Sequence, residues 1–131
     1  MRYALLVCGD ENAAVDPDDE AKMEAAFTSL QDELRAQGIL LSAEHMCATA
    51  TAATVQVWGG DVVVANGPFA GTKEQISSML IVDCKDLDHA TQIATRIPAA
   101  WYGTIEVRPV WETPLGAAGP AHEEARCDTP C

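Results

Sequence analysis

The chain has 131 residues, enough for one domain with a real core and a tail but not for two such cores. Its 48% hydrophobic and 21% charged residues are those of a folding chain and exclude a disordered one. A formal net charge of -12 repels phosphate backbones and anionic bilayers, which argues against nucleic acid and membrane as partners.

Residues 3–7 form a short apolar run closed by Gly9-Asp10 and read as a first strand buried on both faces. Asp16 then offers an N-cap with Pro17 at the first helical position, and Asp18, Asp19 and Glu20 complement the helix dipole. This helix should run to about Gln37, end at Gly38, and bury Met23, Phe27, Leu30 and Leu34. Residues 39–46 make a second strand. Residues 54–58 and 61–65 are β-branched runs joined by Gly59-Gly60, which supplies the positive φ angles of a two-residue hairpin turn. Asn66-Gly67-Pro68 breaks that ladder, and a loop through residues 72–75 leads into a strand over 76–82. Asp86 caps a second helix of about 87–97, with Ala90, Ile93, Ala94 and Ile97 on one face and Pro98 beyond its end. Residues 104–110 make the last strand.

After Trp111 the composition turns to Pro, Gly and Ala, so residues 1–112 read as the domain and 113–131 as a flexible tail carrying Cys127 and Cys131. The element order is the split βαβ pattern of a ferredoxin-like α+β fold, with a hairpin between its halves. Two helices cover one sheet face only, and the strands are apolar on both. The uncovered face therefore calls for a partner, most simply a second copy in a homodimer.

Five cysteines are an odd number, and Cys8, Cys47 and Cys84 sit in or beside apolar runs, where a thiol acts as a small hydrophobe. The first residues lack a signal h-region and cleavage pattern, and no apolar stretch nears the roughly 20 residues of a membrane span. The expectation is a cytoplasmic, reducing location.

The segment NGPFAGTKEQ, residues 66–75, followed by a strand and then by DLDHATQIATRIPAAWYGTIEVRPV, residues 86–110, resembles the YCII-related proteins with an Asp-Gly-Pro-Phe (DGPF) signature. The run 2–11 and the hairpin 54–65 are similar too. The resemblance covers about residues 1–110 and implies a ferredoxin-like domain that pairs into a dimeric α/β barrel. It also implies two directions for function. Some relatives resemble small enzymes with a His and Asp pair, one group being like dehydrochlorinases. Many others are linked to extracytoplasmic-function sigma factors. Asn66 stands where the signature has Asp, and an amide does not titrate in the working range, so it cannot serve as a base.

Among residues that can carry chemistry, His45 is the candidate for proton transfer, against the plainer reading of a hydrogen-bonded histidine at a strand end. Period-2 alternation places Ile39, Leu41, Ala43 and His45 on one face and Leu40, Ser42, Glu44 and Met46 on the other, so Glu44 and His45 form no dyad. Glu106 and Arg108 share a face of the last strand, as an interface ion pair or as the lining of a small cavity. Arg108 could there grip a carboxylate. Asn66, Arg108, Glu44 and Asp10 are the ligand-binding candidates. Lys73 and Glu74 read as an exposed pair. Asp10-Glu11 reads as a loop turn more readily than as a metal site, because no His or Cys lies at ligand spacing. No metal is expected in the domain, and no cofactor; Cys127 and Cys131 are the one candidate soft-metal or disulfide pair.

Three functions stay open. The first is a binding or regulatory module, linked through the resemblance to a sigma factor. The second is a cofactor-free lyase, isomerase or dehydrochlorinase-like enzyme acting on a small anionic or aromatic molecule. In the third the domain carries a modified or metal-binding cysteine tail.

Overall fold

A computed structural model describes residues 1–112. The expected tail with Cys127 and Cys131 lies outside them. Strand β1 (Arg2–Gly9) is followed by helix α1 (Pro17–Ala36), strands β2 (Leu40–His45), β3 (Ala53–Trp58), β4 (Asp61–Asn66) and β5 (Gln75–Asp83), helix α2 (Leu87–Thr95) and strand β6 (Thr104–Pro109). Short 3-10 turns lie at Thr49–Thr51 and Pro98–Trp101.

Local chemistry sets the boundaries. The Asp16 carboxylate accepts from Asp18 N at 2.9 Å, and the Asp86 carboxylate accepts from His89 N at 2.9 Å, so each helix starts at a side-chain cap. Gly38, at φ 74°, lets the chain leave α1 in the left-handed region. Gly59 and Gly60, at φ 56° and 91°, make the expected hairpin turn.

Four strands form an antiparallel sheet in the order β2-β5-β1-β6, while β3 and β4 pair only with each other. The central strands β1 and β5 each run through a helix to an edge strand, which is the expected ferredoxin-like α+β arrangement with an inserted hairpin. Tyr3, Leu5 and Val7 of β1 and Leu80 and Val82 of β5 point to the helix side, where Leu30 and Leu34 of α1 and Ala90 and Ile93 of α2 close the core. Ile97 is fully buried although it follows the end of α2. A Cβ at Gly103 would collide with the Cys8 carbonyl, so only glycine lets β6 begin beside β1. No helix among the described residues is long and apolar enough to cross a membrane.

Several expectations need correction. β1 is not buried on both faces: Ala4, Leu6 and Cys8 are only half-buried, because both helices lie on the other side. On α1, Met23 and Phe27 are half-buried and only Leu30, Gln31 and Leu34 are closed off. The alternation of β2 is interrupted between Leu40 and Ser42, where Leu41 is an extra residue. Leu40 therefore sits buried on the helix side with Ala43 and His45, and Leu41 is 52% exposed. Cys47 follows the end of β2 and is exposed, unlike buried Cys84.

Candidate functional site

Three segments distant in sequence meet beyond the end of β1. The loop Asp10, Glu11 and Asn12, the turn residue Thr49, and the loop with Pro68, Gly71, Thr72, Lys73 and Gln75 enclose an open cleft of about 350 Å³. That size is at the small end of ligand sites, which run from about 300 to 1,000 Å³.

Hydrogen bonds within these segments hold the cleft open. Glu11 Oε1 accepts from Thr49 N at 2.8 Å and its Oε2 accepts from the Thr49 hydroxyl at 2.7 Å, so one carboxylate latches the first loop to the turn. The Gln75 amide donates to the carbonyls of Ala70 at 2.6 Å and Thr72 at 2.9 Å, pinning the third segment. Asp10 Oδ1 accepts from Asn12 N at 2.9 Å in an Asx turn, which leaves Oδ2 for other partners. At the foot of the hairpin, Gly67 N donates to Ala52 O at 2.7 Å and the Thr54 hydroxyl donates to Gly67 O at 2.8 Å. The NGPF turn thus joins the hairpin to the cleft wall.

The residues singled out from sequence do not converge. Asp10 lines the cleft; Asn66 does not, although Pro68 two residues on does. His45 lies at the end of an edge strand on the helix side. Its Nδ1 is 2.8 Å from the Ser78 hydroxyl, and its ring meets Phe27 edge-on at 5.7 Å. Ser78 is 5% exposed, so the imidazole supplies a hydrogen-bond partner to a buried hydroxyl. Glu44, opposite Met79, and Arg108, opposite Ala4, are on the other sheet face, at different edges. Arg108 Nε lies 2.8 Å from Glu106 Oε2, an exposed pair on one strand. Glu74 forms no ion pair with Lys73, and Lys73 is among the residues that line the cleft.

Sequence reasoning did not single out Asn12, Thr49 and Gln75, and took Glu11 for a turn residue; spacing carried no signal for contacts made across loops. Among the described residues no three His, Cys, Asp or Glu side chains are placed to hold a metal ion. Two of the thiols there, Cys8 and Cys84, are not primed for attack. Burial pushes Cys8 above the ordinary thiol value and Glu106 and Glu74 push it further, while Cys84 is raised by burial first and then by Asp83.

Comparison with known proteins gives a consistent picture. The YCII-related domain matches residues 1–114. The uncharacterised protein R00369 of Rhizobium meliloti (strain 1021) is 32% identical over 114 residues, covering 84% of this chain and 92% of that protein.

Proposed function

We propose that this chain, which belongs to the YCII-related family, is a cytoplasmic homodimeric module that binds a small polar molecule in the cleft beside Lys73. The observation that carries this reading is the cleft itself. Three segments line it, the Glu11 carboxylate tying the first loop to the Thr49 turn, and Asp10, Asn12 and Lys73 are among its lining residues, with Asp10 Oδ2 left over. Lys73 is the one cation among the lining residues, so a ligand with a carboxylate fits, its other end meeting Asp10 or Asn12. The dimer would cover the sheet face that the helices leave open, and an extracytoplasmic-function sigma factor is a candidate reader of its ligand state.

Calorimetric titration with a panel of small carboxylic and amino acids tests this. At least one should bind, Lys73→Ala should weaken it by tenfold or more, about 1.4 kcal/mol, and His45→Ala should leave it unchanged. Binding that depends on His45 and ignores Lys73 would overturn the assignment.

One observation favours a second reading, a cofactor-free enzyme. The exposed His45 ring is fixed by Ser78 and Phe27, and a general base needs such orientation. In that reading Arg108 or Glu44 would have to come from a second copy, because neither shares the face of His45.

A further inference from the structure

The β3–β4 hairpin presents an apolar surface that nothing else among the described residues covers. Val55 is paired with Val64 and Val57 with Val62, so these four side chains share one face of the ribbon. They are 60%, 62%, 65% and 67% exposed in that order, and every residue of β4 is exposed. An isolated two-stranded hairpin is marginal in water, and one with a bare valine face needs a surface to lie on.

The same chain offers a matching surface elsewhere. On the sheet face opposite the helices, the cross-strand pairs Ala4 with Ile81, Leu6 with Met79, and Cys8 with Ile76 form an apolar stripe two strands wide. Ser42 and Glu44 on β2 border it on one side and Glu106 and Arg108 on β6 on the other. A two-stranded apolar ribbon therefore faces solvent on the hairpin, and a two-stranded apolar ribbon faces solvent on the sheet.

We infer that in the homodimer each copy lays the valine face of its hairpin over the β1/β5 stripe of the other, so the two chains hold each other by reciprocal arms. This rests on the homodimer reading above and specifies its contact. At roughly 100 Å² of apolar surface per valine, the four valines expose about 250 Å² per hairpin. Two arms and the surfaces they cover then bury about 1,000 Å², the size at which a specific interface begins. The four valines bring no charge into the contact, while each copy has a net charge of -12. The attraction is apolar and the long-range term is repulsive, so salt should strengthen the dimer, the reverse of an interface built on ion pairs.

The test is sedimentation equilibrium of the full chain at low and high salt, with hydrogen exchange of the hairpin amides across the same concentrations. Val57→Thr combined with Val62→Thr keeps the β-branched shape and removes the apolar contact. It should raise the dimer dissociation constant about a hundredfold or more. In the parent protein the hairpin amides should lose protection on dilution, in step with dissociation. Protection of β1 and β5 in the isolated variant confirms that its domain is folded. If it is not, Met79→Gln, on the stripe, provides the same test from the opposite surface. A parent protein that is monomeric at every concentration overturns both the homodimer reading and this inference. A dimer whose affinity ignores the hairpin substitutions, or whose hairpin amides exchange freely, leaves the homodimer standing and overturns the arm exchange.

Discussion

Replacing His45 with alanine separates a structural role from a chemical one. The substitution removes the partner of the Ser78 hydroxyl at 2.8 Å and the edge-on contact with Phe27 at 5.7 Å. An unsatisfied buried hydroxyl costs about 1–3 kcal/mol, and an aromatic pair of this geometry contributes about 0.5–1.5 kcal/mol. His45 is itself exposed, so water reaches part of the space it leaves and the lower ends apply. His45→Ala should therefore destabilise the domain by about 1.5 kcal/mol, roughly 5–8 °C in Tm for a domain of this size. Ser78→Ala alone should cost about 1 kcal/mol, and the double variant no more than His45→Ala, because without the hydroxyl nothing is left unsatisfied. Urea unfolding of the four proteins reads the coupling directly, at about 1 kcal/mol. Strict additivity, or a His45→Ala variant as stable as the parent, would refute the reasoning and return His45 to the list of groups free for chemistry.

Other positions give further expectations. Gly103→Ala should destabilise by about 3 kcal/mol or prevent folding, since the new methyl meets the Cys8 carbonyl and β6 must leave β1; thermal unfolding checks it. Cys84 has a folded pKa above its unfolded value, so its contribution is intact below the unfolded value of about 8.5 and is lost as pH rises toward the folded one. Cys84→Ala should flatten the alkaline limb of a stability profile, and under native conditions a thiol reagent should label Cys47 well before Cys84. Glu112 is held below the usual carboxylate range by hydrogen bonds from the Arg2 side chain and backbone. Its stabilisation is present above the unfolded value and lost as pH falls through the folded one, so Glu112→Gln should remove part of the acid-side loss seen by circular dichroism.

What was legible in the sequence was local. Asp16-Pro17 and Asp86 announced the helix starts and Gly59-Gly60 the hairpin, because each signal lies within a few residues of what it controls, whereas the unbroken apolar run of β1 hid that only Tyr3, Leu5 and Val7 face the core. The extra residue at Leu41 was not legible, since nothing in the run Leu40-Leu41-Ser42 says which leucine is inward until β5 lies beside it. The cleft was hidden for the same reason. Glu11 meets Thr49 across 38 residues and His45 meets Ser78 across 33, and no periodicity reports such distances. Asp10 was visible as an acid after a strand, but its neighbour in the fold, Lys73, belongs to a loop whose position is fixed by Gln75.

The most direct measurement is a ¹H–¹⁵N chemical-shift map of the protein titrated with the tightest-binding carboxylate of the panel. Saturable shifts are expected at Asp10, Glu11, Asn12, Thr49 and residues 71–75, abolished by Lys73→Ala. Shifts centred on His45, Ser78 and Phe27, or spread along the β1/β5 stripe with the cleft silent, would contradict the cleft assignment.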